Sequence, residues 1–266
     1  MSSCCFNFFA RSLNFRTDVK VVLPEYEHQR DAGIPGREAY DPDVRFPAVY
    51  LLHGFTGDSS DWFQMIPIER YAQEYGFAIV MPNAYNSWYM NLPAGPKVET
   101  FIAKELPAAM EALLPISGNA SQRFIAGLSM GGTGAVQTAL KYPDQYRAMA
   151  SASGVMSREL LREQYGDGSP DSRDMLDCLD YAYPKACPDM EELYLGLKKS
   201  GSVIPEHLFL YGTEDEMFSR QYARFVAFAE KNSLPVIAEK SPGGHDFMFW
   251  DPAIRRILGW FRTMIR

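Results

Sequence analysis

Cysteine and histidine are both scarce in this 266-residue chain, with four of each. The cysteines form no Cys-x-x-Cys pair, so zinc and thioredoxin-like sites lack support. A disulfide between Cys178 and Cys187 is the alternative to four free thiols. We expect free thiols in the cytoplasm, because the first residues lack the basic start and the cleavage site of a secretory signal.

Positive charge and long apolar runs are lacking as well. Twenty-six basic and 33 acidic residues give a net charge of −7. A chain this acidic, with no long basic run, is poorly suited to bind the negatively charged phosphate backbone of a nucleic acid. We therefore expect no nucleic-acid partner. No stretch approaches the roughly 18 apolar residues that a membrane-spanning helix needs, so we expect no membrane partner either.

What the sequence does contain is an alternation of short apolar runs and helix-like stretches. Continuous apolar runs are typical of strands buried on both faces of a parallel sheet. The predicted strands are 6–13, 18–23, 48–52, 77–81, 124–127, 148–151, 208–211 and 236–239, and the predicted helices are 60–75, 97–114, 130–141, 216–231 and 253–264. The alternation predicts a single α/β domain over residues 1–266, with a mostly parallel sheet.

Two segments interrupt this alternation. Residues 156–203 are too long for a plain connection and carry two or three short helical patterns. We predict an insertion over the C-terminal end of the sheet, either a lid on the site or surface structure without a role in binding. Residues 25–45 are polar and contain glycine and proline, which predicts a surface loop.

The strongest local pattern is Gly127-Leu-Ser-Met-Gly131, between a predicted strand and a predicted helix. This context is typical of a nucleophile elbow, in which glycines leave room for a strained turn that exposes the serine. Ser129 is therefore the predicted nucleophile. The backbone N–H of Met130 would lie at a helix N-terminus and face a developing oxyanion. A glycine-rich turn without a catalytic role is the alternative.

A serine nucleophile needs a base, and histidine is the usual choice near neutral pH. After such an elbow the acid and then the histidine follow along the chain. His28 and His53 precede Ser129, and His207 begins a predicted strand. Only His245 lies on a glycine loop after a predicted strand, so it is the predicted base.

The acid is expected between the serine and the histidine, at the end of a strand. Candidates are Glu214, Asp215 and Glu216, which follow the predicted strand 208–211. The Gly-x-x-Asp spacing favours Asp215, because its neighbours suit solvent or the cap of the next helix better.

A second oxyanion donor is expected after an early strand. Gly54 allows the backbone to approach an ester closely there, and we assign the donor to the N–H of Phe55. His53 would then be structural and would hold this turn by hydrogen bonding.

Together these motifs resemble the esterase D superfamily of α/β-hydrolases, and are most similar to its bacterial tributyrin-esterase-like and feruloyl-esterase-like members. The matching stretches are 51–57 with Trp62, 81–83 with 87–89, 105–107, 127–132, 212–215 and 244–247. The resemblance implies a serine carboxylesterase that needs no cofactor or metal and acts on small-molecule esters with short acyl or aryl-acyl groups. It agrees with Phe55 and Met130 as oxyanion donors.

The resemblance leaves several points open. Trp88 and Tyr89 have a family counterpart near the active site, so they either line the substrate cleft or pack in the core. Residues 156–203 match no motif, which leaves both ester pockets undefined. A thioesterase of the S-formylglutathione hydrolase type, an acyltransferase resembling mycolyltransferases and a non-catalytic binding protein remain alternatives. A homo-oligomer is also left open.

Overall fold

The computed structural model describes residues 1–27, 41–166, 170–183, 187–216 and 218–265. Within them, eight strands form one sheet in the order β1-β2-β4-β3-β5-β6-β7-β8. The strands are β1 (Ser2–Ala10), β2 (Phe15–Leu23), β3 (Ala48–Leu52), β4 (Ala78–Pro82), β5 (Arg123–Leu128), β6 (Ala148–Ala152), β7 (Glu206–Gly212) and β8 (Val236–Ser241).

The sheet is mostly parallel, as the sequence predicts. Strands β3 to β8 pair in parallel, whereas β1 and β2 form an antiparallel hairpin that joins the sheet against β4. All residues of β3, β4, β5 and β6 are buried, which explains their continuous apolar runs. The predicted α/β-hydrolase fold is confirmed.

Helices cover both faces of the sheet. They are α1 (Asp61–Gln64), α2 (Ile68–Tyr75), α3 (Val98–Thr100), which a π-helical turn (Phe101–Glu105) joins to α4 (Leu106–Leu113), α5 (Met130–Lys141), α6 (Arg158–Tyr165), α7 (Pro170–Ala182), α8 (Met190–Ser200), α9 (Ser219–Lys231) and α10 (Phe247–Arg262). One core layer joins the sheet to α1, α2 and α10, and the other joins it to α3–α9.

Several predicted boundaries are wrong. The first strand occupies Ser2–Ala10 rather than 6–13, because its weakly apolar first residues pair with β2 all along the hairpin. The predicted helix 60–75 is divided into α1 and α2, and Pro67 lies at the N-cap of α2, where its missing N–H removes no helical hydrogen bond. The last helix begins at Phe247 rather than 253, because the side chain of Asp246 caps it.

The segment 156–203 contains helices α6, α7 and α8. Helix α6 packs on α7, and α8 packs on α5, the helix that follows Ser129. Cys178 and Cys187 are both free and half-buried. His28 and most of the loop predicted at 25–45 lie outside the described residues.

Candidate active site

Ser129 lies between β5 and α5, and its backbone adopts φ 50° and ψ −121°. A non-glycine residue in this region is strained, as the elbow pattern predicts. The Cβ of an alanine at position 127 would collide with the backbone of Gly131, and one at position 131 would collide with the carbonyl of Leu52. Because both residues are glycine, the backbone at Leu52, at Gly127 and at Gly131 can come into direct contact below Ser129.

The structure brings Ser129, His245 and Asp215 together although 85 residues lie between the serine and the acid in the sequence. The Oγ of Ser129 lies 3.0 Å from Nε2 of His245. The Nδ1 of the same imidazole lies 2.9 Å from Oδ2 of Asp215. The three side chains thus form one hydrogen-bonded series in the order that a catalytic triad needs.

The loops that carry the acid and the histidine are joined by backbone hydrogen bonds. The N–H of Thr213 donates to the carbonyl of Ser241, and the N–H of Glu214 donates to that of Gly243, both at 2.9 Å. Gly243 has φ 132°, a value that favours glycine. These two hydrogen bonds hold the loop of Asp215 against the loop of His245.

Burial separates the three acidic candidates. Glu214 and Glu216 are exposed, whereas the side chain of Asp215 is fully buried. Its second oxygen, Oδ1, accepts the N–H of Phe218 at 3.2 Å. Burial, and then the charge of Asp215, raise the pKa of Tyr165 to about 12, which keeps that phenol neutral. Tyr165 is a neighbour of the acid that the sequence gave no reason to select.

Two aromatic rings enclose the His245 imidazole. Phe218 stacks on it with ring centroids 4.4 Å apart, and Trp250 meets it edge-on at 4.9 Å. Phe218 was not selected from the sequence, where its only signal is an aromatic residue three positions after the acid. The two rings fix the plane of the imidazole between Ser129 and Asp215.

The turn that follows β3 lies against the nucleophile. A Cβ at Gly54 would lie 3.7 Å from Cβ of Ser129 and only 2.7 Å from the side chain of Leu128. Glycine therefore permits this approach. Within the part of the chain that the structure describes, the N–H groups of Phe55 and Met130 have no hydrogen-bond acceptor. Both N–H groups are therefore available as hydrogen-bond donors.

His53 is fully buried, and two hydrogen bonds of its imidazole join that turn to the segment that follows β4. Its Nδ1 lies 2.8 Å from the carbonyl of Gly54, and its Nε2 accepts the N–H of Ala84 at 3.0 Å. Burial lowers the pKa of the imidazole, so the ring stays neutral and can donate from one nitrogen and accept at the other. The structural role expected for His53 agrees with this geometry.

His207 is buried in β7 and lies in a separate aromatic cluster. Its Nδ1 lies 2.7 Å from the hydroxyl of Tyr194, and Phe209 and Phe225 flank the ring. Burial lowers the pKa of His207 to about 3, so it stays uncharged at neutral pH. None of these contacts involves Ser129, and His207 belongs to the core.

Trp88 and Tyr89 lie next to the site and are both buried. The Tyr89 hydroxyl donates to the carbonyl of His53 at 2.9 Å, and the ring of Trp88 lies 6.3 Å from that of Phe55. Both residues therefore contact the turn that contains Gly54 and Phe55. A part in substrate binding stays a prediction for both residues.

Among the described residues, no group of three or more histidine, cysteine or acidic side chains is arranged to hold a metal ion. No helix in the described ranges is both long and apolar enough to cross a bilayer.

Comparison with known proteins places this chain among esterases. Residues 11–261 match the family model Esterase, described as "Putative esterase". An acetyl esterase from Caldicellulosiruptor saccharolyticus is 24% identical over 96% of both chains. Among solved structures, FphF, a fluorophosphonate-binding serine hydrolase of Staphylococcus aureus, has a TM-score of 0.84 at 24% identity over 98% of both chains. The S-formylglutathione hydrolase FrmB of Staphylococcus aureus has a TM-score of 0.81, also at 24% identity over 98% of both chains.

The family match covers nearly the whole chain, and the solved structures share its fold. The chain belongs to the Esterase family and is a carboxylic ester hydrolase with an α/β-hydrolase fold.

Proposed function

We propose that the protein is a serine carboxylesterase that works through Ser129, His245 and Asp215 and forms an acyl-enzyme. The observation that carries this proposal is the continuous hydrogen-bonded series from Ser129 Oγ through both imidazole nitrogens to Asp215. Nε2 of His245 is in reach of the hydroxyl proton, and Nδ1 is held by a buried carboxylate. This arrangement suits a base that accepts and later returns one proton.

In the first half of the reaction Ser129 attacks the carbonyl carbon of the ester while Nε2 of His245 takes the hydroxyl proton. The carbonyl oxygen becomes an oxyanion, which the N–H groups of Phe55 and Met130 bind. Asp215 stabilises the imidazolium without taking its proton. The imidazolium then gives the proton to the leaving alkoxide, and the acyl group stays on Ser129.

In the second half water replaces the alcohol. His245 takes a proton from that water, which attacks the acyl-enzyme carbonyl and again forms an oxyanion in the same place. Collapse of this intermediate releases the acid, and the imidazolium returns the proton to Ser129. The same residues serve both halves, so one geometry is enough for the cycle.

The test replaces Ser129 by alanine. Hydrolysis of p-nitrophenyl acetate should fall by several orders of magnitude, and labelling by a fluorophosphonate should be lost. Ser153→Ala is the matched control, because Ser153 also follows a buried strand with a positive φ of 52° but lies outside the triad. Near wild-type turnover or labelling of Ser129→Ala in a clean preparation would overturn the assignment.

For the substrate we propose acyl groups of about two to four carbons, or aryl-acyl groups, in preference to long lipids. Helices α6 and α7 support this, because a lipase tends to offer a broad apolar surface to lipid. Most exposed side chains there are instead charged, and include Glu159, Arg162, Glu163, Arg173 and Asp174, although Tyr181 is exposed as well. The relative from Caldicellulosiruptor saccharolyticus is named an acetyl esterase, which agrees.

A panel of p-nitrophenyl acetate, butyrate and palmitate with methyl ferulate tests the substrate class. Highest kcat/KM on palmitate would overturn the short-acyl preference, and no turnover of methyl ferulate would remove the aryl-acyl option. S-formylglutathione belongs in the same panel, since a clear preference for it would indicate a thioesterase. Ester products formed with a competing alcohol would indicate an acyltransferase.

We also propose a cytoplasmic location. All four cysteines are free thiols, including the half-buried Cys178 and Cys187, and a reducing compartment maintains that state. Fractionation of the source cells with an antibody against the protein tests this, and recovery outside the cytoplasm would contradict it.

A further inference from the structure

Gln137 is a buried polar side chain on α5, the helix that follows Ser129, and only 1% of its surface is exposed. Its Nε2 donates to the carbonyls of Trp88 and Tyr89, at 2.7 Å and 3.3 Å. Its Oε1 accepts the hydroxyl of Tyr183. None of these partners belongs to α5, so the amide joins the helix to two other parts of the chain.

The partners determine which end of the amide faces which group. A backbone carbonyl can only accept a hydrogen bond, so the NH2 group must face Trp88 and Tyr89. Burial raises the pKa of the Tyr183 phenol, which therefore stays protonated and donates to Oε1. The guanidinium of Arg158 lies over the same ring, 4.5 Å from its centroid. Residues 156–203 therefore contact the amide through the side chain of Tyr183.

Trp88 and Tyr89 both have a left-handed backbone conformation, with φ angles of 52° and 58°. Bulky residues rarely adopt this conformation, and two in succession are strained unless the surroundings hold them. The Nε2 of Gln137 binds both carbonyls at once. A Cβ at Gly134 would lie 2.4 Å from the ring of Tyr89, so this ring packs directly on α5. Helix α5 therefore holds the two strained residues by their backbone and by one ring.

The side chains of the same two residues contact the turn that carries the Phe55 N–H. The ring of Trp88 lies 6.3 Å from that of Phe55, and the hydroxyl of Tyr89 donates to the carbonyl of His53. Both side chains extend from the backbone that Gln137 holds. An oxyanion donor must stay within about 0.5 Å of its productive position to be effective. A change in this backbone therefore affects the proposed donor.

We propose that Gln137 is a positioning residue for the Phe55 N–H. It acts through the backbone of residues 88–89, and Tyr183 sets the orientation of its amide. This inference rests on the proposed function and deepens it, because it links residues 156–203 to transition-state stabilisation without any contact with the ester. Since the oxyanion forms only after Ser129 attacks, the effect falls on kcat rather than on KM.

Gln137→Met tests this inference, because methionine keeps the length of the side chain and makes none of the three hydrogen bonds. With p-nitrophenyl acetate, kcat should fall about tenfold and KM should change less than about twofold. Gln221→Met is the matched control, since Gln221 is also 1% exposed and also makes three hydrogen bonds, to the backbone of Met156 and Ser157. If folded Gln137→Met keeps the kcat of this control, the proposal is wrong.

Tyr183→Phe is a milder variant, and it keeps the proposal testable if Gln137→Met does not fold. Without the phenol, Oε1 loses its partner and the amide can rotate, so kcat should fall about threefold to fivefold. Tyr194→Phe is its control, because the Tyr194 hydroxyl is equally buried but contacts His207. An unchanged kcat in Tyr183→Phe would overturn the link between residues 156–203 and the Phe55 N–H.

Hydrogen exchange tests the same link without turnover, and so separately from the triad. The N–H of Thr56 donates to Oδ1 of Asn86 at 2.8 Å, which joins the turn to the segment that follows β4. In a Ser129→Ala background, Gln137→Met should speed exchange of the Thr56 amide, measured by NMR, at least about fivefold, whereas Gln221→Met should not. Equal exchange rates in the two variants would overturn the positioning role, even if kinetics confirm Ser129 as the nucleophile.

Discussion

The ring of Phe218 lies flat on the imidazole of His245, with centroids 4.4 Å apart and an angle of 19° between the planes. The backbone N–H of the same residue donates to Oδ1 of Asp215 at 3.2 Å. One buried residue thus contacts both the proposed base, His245, and the proposed acid, Asp215. It fixes the carboxylate through its backbone and the plane of the imidazole through its ring, so we regard Phe218 as a positioning residue.

Phe218→Leu should lower kcat about tenfold with little change in KM. Leucine keeps most of the apolar volume but offers no flat face, so the imidazole can rotate away from Ser129. Phe225→Leu is the matched control, because Phe225 is equally buried on α9 but packs around His207. Steady-state kinetics and thermal unfolding of both variants separate positioning from stability. Equal kcat in the two variants would contradict the assigned role.

Close backbone approach under Ser129 leads to the second prediction. Gly131→Ala should destabilise the protein by about 2–3 kcal/mol and remove most of the activity, because the new Cβ must displace the Leu52 carbonyl. Gly196→Ala is the control, since nothing lies within 4 Å of a Cβ at that exposed position in α8. It should stabilise the protein by up to about 1 kcal/mol. Urea unfolding of the two variants measures both effects on stability. A stable and active Gly131→Ala would show that the turn at Ser129 can accommodate the additional Cβ.

Much of this site follows from local patterns in the sequence. The elbow, the late histidine and the acid loop each combine a strand end with glycine, and the sheet brings their carboxyl ends to one edge. The choice of Asp215 over its two acidic neighbours also followed from spacing. The complete burial of its side chain depends on packing that no local pattern encodes.

The features missed from the sequence depend on tertiary contacts. Phe218 and Tyr165 approach the acid and the base only after α6 and α9 pack beside the loops, and no periodicity marks them. The first strand was misplaced for a related reason. Its first residues, Ser2 to Cys5, are weakly apolar and exposed, and only hydrogen bonds to β2 make them a strand. Strand pairing of this kind cannot be predicted from the residues of one strand alone.

The buried His207 makes stability depend on pH. The folded protein holds its pKa at about 3, whereas an unfolded histidine titrates near 6.5. Between these values the unfolded state binds one more proton, so stability falls as the pH decreases from 6.5 towards 3, by up to about 1.4 kcal/mol per pH unit. Removing the imidazole should remove this part of the acid sensitivity.

A pair of variants isolates that effect. Tyr194→Phe alone is compared with Tyr194→Phe combined with His207→Phe, so that the buried hydroxyl is absent from both. Urea unfolding at pH 4.5, 5.5 and 6.5 should show a pH slope smaller by about 1 kcal/mol per unit in the double variant. Parallel slopes would mean that His207 is protonated in the folded state or reached by water.

The last prediction concerns the two hydrogen bonds of the His53 imidazole. His53→Phe should fill the same buried space but leave the carbonyl of Gly54 and the N–H of Ala84 without their partner. Each unpaired buried group costs about 1–3 kcal/mol, so the turn should shift to find water. Losing one oxyanion donor costs roughly 100- to 1,000-fold in kcat, and a displaced donor should cost somewhat less, on the order of tenfold to 100-fold.

The affinity for a transition-state analogue shows whether the loss of kcat arises at the turn that carries the Phe55 N–H. In His53→Phe, the affinity of a phosphonate or boronate that places an oxygen on the Phe55 and Met130 N–H groups should weaken in proportion to kcat/KM. Tyr89→Phe is the control on the same turn, because it removes a hydrogen bond to the carbonyl of His53 but leaves both imidazole contacts in place. It should lower kcat much less. If His53→Phe keeps full kcat and full affinity for the analogue, the turn holds its geometry without these two hydrogen bonds. Backbone packing around Gly54 alone must then position the Phe55 N–H.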